Sequence, residues 1–239
     1  MSAVLVAEAF EMRAGRARAP LFLTCEHASQ RMPEPYRFPE ADRHLVGTHW
    51  AYDLGARELT LELAEALDAS AVLSRFSRLL VDPNRAEHHP DLLRNVAEGK
   101  PVALNQHVTA EERERRIRTY YRPFHEAVDE ELSRVSAPVL LSIHSFTPVY
   151  EGRVRDVELG VLYNHEEAAA LRLGRALERE FEGVAYNEPW SGKAGLIFSA
   201  ESHAERHGRC ALELEIRQDL ARTPGYRSRV VDLLTKYFA

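Results

Sequence analysis

The sequence predicts one α/β domain over residues 1–239, with a mainly parallel central sheet flanked by helices. Short apolar runs alternate with amphipathic segments of helical period along its whole length. Neither a Pro/Gly/Ser-rich linker nor an internal repeat divides it. A hydrophobic content of 45% and a charged content of 28% suit a globular chain long enough to bury a core without staples.

Taken in order, "PLFLTC" (20–25) reads as a buried strand, and "AYDLGARELTLELAEALDA" (51–69) places Leu and Ala at helical spacing. "AVLS" (71–74) and "RLLVD" (78–82) read as short strands. The polar stretch from Asp82 to Gln106 is punctuated by Pro and Gly and reads as loop. Thr109 and Glu112 have capping-box spacing and open a long helix to Ser136, which Pro123 should kink or divide. Strands follow at "PVLLSI" (138–143) and "LGVLYN" (159–164), then an amphipathic helix over 166–181. "GVAYN" (183–187) and "CALELEIR" (210–217) are strands, and a terminal helix starts with Thr223 as N-cap and Pro224 at its first position.

A formal charge of −6 without a basic tract argues against nucleic acid as partner. Nothing approaches the roughly 18 consecutive apolar residues of a membrane span, and no signal-peptide core is visible. Cys25 and Cys210 stand outside any CxxC pattern, which suits a reducing compartment and leaves no thiolate metal site. A cytoplasmic monomer or small homo-oligomer is the expectation.

Open α/β sheets bind ligands beyond the carboxyl ends of their strands. Those ends carry Glu26-His27, Asp82-Pro83-Asn84-Arg85, His144-Ser145, and Glu213, Glu215 and Arg217. A single histidine is more often a strand-end residue satisfied by backbone, but several strand ends converging on imidazoles and carboxylates point to a metal. His27 and His144 are the natural pair of ligands, and a hydrolytic zinc takes a third while keeping a position open. Asp53, Glu26 and His49 compete for that place. His49 precedes Asp53 by four residues, so a helix would put both on one face. Glu26 adjoins His27 and points the other way if the strand continues, so it serves instead to orient a ligand or cap a helix.

Glu213, Glu215 and Arg217 share one face of a strand, which should border a polar cavity, and Glu215, nearer the strand end, is the preferred base. Arg85, Arg217 and Arg78 offer forks for an anionic substrate, with Asn84 and Ser145 as neighbouring contacts. His203 and His207 have i,i+4 spacing, yet Glu205 between them is not at the HExxH position, which argues against a zincin. No GxSxG, Walker A or GxGxxG motif appears. Residues 183–208 include "WSGKAG" (190–195), whose glycines would allow a lid.

Together, "LFLTCEHAS", "THWAYDLGA", "SRLLVDPNR", "LSIHSFTP" and "LELEIRQDL" resemble the N-formylglutamate amidohydrolase family, in consistent order over about residues 20 to 225. The resemblance implies a phosphorylase/hydrolase-like fold related in architecture to zinc carboxypeptidases. It also implies metal-dependent cleavage of N-formyl-L-glutamate to formate and glutamate, a step in histidine breakdown, with one zinc ion as cofactor. His27, Asn84-Arg85, His144 and Glu215 fall in the order of an early His ligand, an Asn-Arg pair for a carboxylate, a later His ligand and a late Glu base. The HxxE pattern of the carboxypeptidases is absent, since "HASQ" follows it no further than His27.

Overall fold

A computed structural model describes residues 3–150 and 152–238. The chain begins with two short strands, β1 (Val4–Val6) and β2 (Phe10–Arg13), which the sequence did not announce because both are half-buried or exposed. Then come β3 (Leu21–Cys25), α1 (Ala56–Leu67) and β4 (Ala71–Ser74). A small hairpin of β5 (Val96–Ala97) and β6 (Lys100–Pro101) lies in the long polar stretch. The long helix is divided into α2 (Ala110–Arg116), a wide π turn over Ile117–Tyr121, and α3 (Arg122–Arg134). Thr109 caps it, accepting a hydrogen bond from Glu112 N at 3.1 Å. Pro123, which lacks a backbone donor, is the second residue past the π turn, where the helical ladder is already interrupted.

The second half contains β7 (Val139–Phe146), a hairpin of β8 (Val149–Tyr150) and β9 (Arg153–Val154), then β10 (Leu159–Leu162), α4 (Glu167–Leu177) and β11 (Val184–Tyr186). It closes with α5 (Phe198–His207), β12 (Cys210–Arg217), α6 (Gln218–Ala221) and α7 (Pro224–Phe238). Thr223 holds the N-cap place of α7, its carbonyl accepting from Arg227 N, while its hydroxyl donates back to Asp219 O.

The eight-stranded sheet runs β1-β2-β4-β3-β7-β12-β10-β11. Its centre, β4-β3-β7-β12, is parallel, and antiparallel pairs flank it on both sides. This is the mixed α/β sheet flanked by helices that the alternation of elements implied. One face is apolar as far as Ser145: Leu21, Leu23, Leu141, Ile143, Leu212 and Leu214 pack against α1, α4 and α7. Fully burying each such leucine contributes about 1.5–3 kcal/mol. The other face begins apolar, with Phe22, Leu140 and Ala211 against α3 and α5. It then turns polar along the same strands, and the site is built on that turn.

Two local expectations fail. Residues 78–82 form no strand: Leu79, Leu80 and Val81 are buried in irregular backbone that turns after β4. A short buried apolar run looks the same whichever backbone carries it. Helix α1 starts at Ala56, so His49 and Asp53 lie in turns before it and share no helical face. Gly55, at φ +85°, sits against the Ala221 backbone, where a Cβ would lie 2.5 Å from the carbonyl carbon. Among the described residues, no helix is long and apolar enough to cross a membrane.

Candidate active site

Strand register sets the first rows of the site. Thr24 is opposite Ser142, and Ser142 is opposite Glu213. One step further His144 is opposite Glu215. Because strand side chains alternate, Ser142, His144, Glu213 and Glu215 share the polar face. Strand β7 continues through Phe146, so His144 lies within it and not beyond its end as the sequence suggested. Strand β3 does end at Cys25, so Glu26 and His27 are both free of strand alternation and both reach the cluster.

The two imidazoles stand edge to face with centroids 4.8 Å apart. Their Nδ1 atoms converge on one oxygen: Asp53 Oδ2 lies 2.8 Å from His144 Nδ1 and 3.4 Å from His27 Nδ1. That oxygen also accepts from Ser145 N at 3.2 Å. The opposite ring nitrogens are held by other acids, His27 Nε2 by Asp82 Oδ1 at 2.7 Å and His144 Nε2 by Glu26 Oε2 at 3.1 Å. Ser142 Oγ donates to the same Glu26 oxygen at 2.6 Å. Arg78 closes the ring, 2.8 Å from Asp82 Oδ2 and 3.6 Å from Asp53 Oδ1.

Electrostatics follow from this crowding. Burial opposes charge on His144, but Glu213 and the hydrogen bonds to Asp53 and Glu26 outweigh it and hold the imidazole well above its usual range. Burial likewise opposes charge on Glu26, yet His144 and Ser142 bring it down to about 2. Asp53 is driven below the usual carboxylate range against its burial, by the charge of His27 and by hydrogen bonds to both histidines. Glu213 and Glu215 move the other way: burial pushes Glu213 up to about 7, and burial with the like charges of Glu213 and Asp53 raises Glu215 well above normal.

The donor set fits a divalent cation. His27, Asp53 and His144 each offer a ligand atom within 4.8 Å of the others. Ligating histidines usually give their second nitrogen to a carboxylate, as Asp82 and Glu26 are placed to accept here. Buried Glu26 Oε1, Glu213 Oε2 and Glu215 Oε2 accept no hydrogen bond, with Glu213 Oε2 3.4 Å from His144 Nε2, and a cation nearby would offset the cost of burying them. His144, Glu213 and Glu215 form a second close group. In that group His144 would have to use Nε2, which Glu26 already engages.

A cavity of about 230 Å³ opens over the cluster. His27, Asp53, His144, Glu213 and Glu215 form its floor, and His49, Trp50, Tyr150 and Trp190 stand in its walls. Arg78, Arg85, Arg94 and Arg155 also line it. Asn84 reaches the cavity but spends its amide on structure, donating to Leu196 O and accepting from Ser199 N. Ser145 Oγ donates to Leu54 O, so this residue fixes the Asp53 turn from both its hydroxyl and its amide. His49 is pushed down to about 4 by burial and the charge of Arg78, and its ring lies 4.6 Å from that of Trp50, tilted by 41°.

Arg217 does not join the cavity. It stands at the last position of β12, where the chain turns into α6, and its guanidinium pairs with Asp219 at 2.9 Å. It is still in strand register, opposite Phe146, but Asp219 and the Arg155 carbonyl hold its guanidinium away from the cavity. Arg94 and Arg155 were not singled out in the sequence, since both stand in irregular segments with no period to mark them. Tyr121 was missed as well: its hydroxyl donates to Arg85 O at 2.8 Å from the end of the π turn. Of residues 183–208, Trp190 and Leu196 reach the cavity, while α5 is packed into the core through Ala200 and Ala204.

Comparison with known proteins gives a consistent result. A curated N-formylglutamate deformylase from Pseudomonas aeruginosa is 28% identical over 225 residues, 85% of this chain and 82% of that protein. Another of the same name, from Pseudomonas putida, is also 28% identical over the same shares of each. A solved gene product of Agrobacterium tumefaciens superposes with a TM-score of 0.90 at 30% identity, covering 97% of this chain and 94% of that one. A profile of N-formylglutamate amidohydrolase matches residues 19–222, which takes in every residue of the floor and walls described above. The chain belongs to the N-formylglutamate amidohydrolase family.

Proposed function

We propose that the protein is a zinc-dependent amidohydrolase that cleaves N-formyl-L-glutamate to formate and L-glutamate. The observation that carries this reading is the convergence of two buried imidazole nitrogens on one carboxylate oxygen at the floor of a cavity walled by arginines. The names of the Pseudomonas relatives and of the family support the choice of acyl group and amino acid.

His27, His144 and Asp53 would hold the ion, with Asp82 and Glu26 fixing the two imidazoles from behind. A bound zinc supplies Lewis-acid polarisation of the amide carbonyl and lowers the pKa of a water molecule. Glu215 takes a proton from the attacking water and returns it to the departing amine nitrogen. Its place suits this role, because it is directly opposite His144 and one oxygen has no protein partner. Glu213 is one row deeper and closer to a structural position. Arg85 faces the cavity with its Nε unpartnered and receives a substrate carboxylate. Arg78 is already engaged by Asp82 and Asp53 and tempers the acidity of the floor.

The direct test is formate release from N-formyl-L-glutamate by purified protein, before and after a strong chelator, with zinc added back. Turnover lost to the chelator and regained with zinc is the expected outcome. Absence of turnover in protein shown by metal analysis to hold one zinc per chain would reject the substrate.

A further inference from the structure

The cavity arginines differ in what already holds them. Arg78 is bound by two acids. Arg94 lies over Trp50, 5.6 Å from the ring centre, and 3.8 Å from Asp91. Arg155 has a different setting. Its guanidinium carbon lies 4.7 Å from the Tyr150 ring centre, 4.9 Å from Trp190 and 5.4 Å from Phe146. Nη1 donates to Thr147 O and Oγ1, both at 3.2 Å. Among the described residues no carboxylate stands within ion-pair distance of it, and burial depresses its pKa.

A guanidinium stripped of part of its water, on which Glu215 acts only from beyond ion-pair distance, is costly unless an anion arrives. The aromatic rings hold the planar fork in place, so little side-chain freedom is lost when it pairs. Position selects which anion. In an N-acyl amino acid, the α-carboxylate is attached to the carbon next to the amide nitrogen, so it must stay near Glu215 and the imidazoles. Arg85 is on that inner side, its charge acting on the Asp82 that touches His27. Arg155 is on the outer wall beside Tyr150, which is 37% exposed. A side-chain carboxylate two methylenes further along would reach that wall.

We propose that Arg155, in its cage of Phe146, Tyr150 and Trp190, is the specificity-determining contact for the side-chain carboxylate of the substrate. The cavity then selects N-acyl amino acids with an acidic side chain. This rests on the amidohydrolase reading above, and the experiment separates the two.

The test compares kcat/KM for N-formyl-L-glutamate, N-formyl-L-glutamine and the α-amide of N-formyl-L-glutamate in wild type, Arg155→Met and Arg155→Lys. A charged hydrogen-bonded pair is worth about 1.5–3 kcal/mol, so wild type should prefer glutamate over glutamine by about 10–100-fold. In Arg155→Met that preference should fall towards unity, mainly through KM, while discrimination against the α-amide persists. Arg155→Lys should recover part of it as a point charge. A preference unchanged in Arg155→Met, or a loss confined to the α-amide, overturns the assignment. A parallel reading does not need turnover: L-glutamate should raise the Tm of wild type more than L-glutamine does, and Arg155→Met should abolish the difference. If wild type turns over no substrate but shows this ligand difference, the contact stands and the reaction falls. Equal stabilisation of wild type by both ligands overturns the contact.

Discussion

The molecule contains two histidine–aspartate clusters about sheet and helix, and they resemble each other closely in composition. In the cavity, His27 and His144 converge on Asp53. Between α3 and α5, His203 Nδ1 lies 2.7 Å from Asp129 Oδ1, His207 Nε2 lies 3.0 Å from the same oxygen, and Arg206 pairs with the other. His125 Nδ1 then lies 2.8 Å from His203 Nε2, its ring stacked at 5.0 Å. The i,i+4 histidines, whose spacing alone would suit a metal, thus share one acid that is already neutralised by an arginine. What separates the clusters is residual demand. The helix cluster has one carboxylate for three imidazoles and a guanidinium, and burial with the charge of His203 pushes His125 down to about 3. The cavity cluster holds Glu26, Asp53, Asp82, Glu213 and Glu215 around two imidazoles and Arg78, with oxygens of three of these acids accepting no hydrogen bond. An excess of buried acid marks a place for a cation, whereas a histidine count does not.

That contrast can be broken most severely at His144. On the zinc reading proposed above, His144→Ala should abolish metal binding and cost several kcal/mol of transition-state stabilisation, on the order of 10³-fold in kcat/KM. Retained metal and activity in that variant would refute the site. Next, Glu215→Gln should cost about 10²–10⁴ in kcat while leaving the metal content intact; an equal loss from Glu213→Gln with Glu215→Gln active would move the base one row deeper. Asp82→Asn should weaken metal affinity by about 10–100-fold through the His27 ring it orients, measured by competition with a chelator. In the helix cluster the same kind of change should act only on stability. Asp129→Ala should cost about 1–3 kcal/mol in denaturant unfolding, with kcat/KM and metal content unaltered; a loss of metal would show that the two clusters are not separate.

The smallest effect concerns pH. Burial opposes charge on Asp129, but His203, His207 and Arg206 bring its pKa down from 3.8 to about 2. A depressed carboxylate contributes stability above its unfolded pKa and loses it as pH falls through the folded one. Wild type and Asp129→Asn should therefore differ in Tm above about pH 4 and converge towards pH 2. No convergence would mean that Asp129 acts by packing.

Much of the fold could be read from the chain because buried strands and amphipathic helices have periods. Helices α1, α4 and α7 and strands β3, β4, β7, β10, β11 and β12 were all foreseen within a few residues, except where a strand or helix end was misjudged by its flanks. Within the cavity, His27, His144, Glu213 and Glu215 could be singled out since each lies at or near the carboxyl end of a parallel strand. Arg155 could not, because its environment is assembled from Phe146, Tyr150 and Trp190, which come together only through the β8–β9 hairpin and the turn before α5. Arg217 misled for the opposite reason: it continues the strand pattern, but Asp219, two residues on, takes its guanidinium.

Gly160 is the β10 residue opposite Glu215, and a Cβ there would come within 2.0 Å of Glu188 O. The turn carrying Trp190 therefore rests directly on bare main chain at the level of the preferred base. Such a seat works as a mechanical stop. The clearance between the outer wall and the floor is set by one backbone resting on another, independent of how neighbouring side chains are filled. The wall's side chains at 190 and 196 are then free to diversify, changing which molecules enter, while the depth at which a bond is presented stays constant.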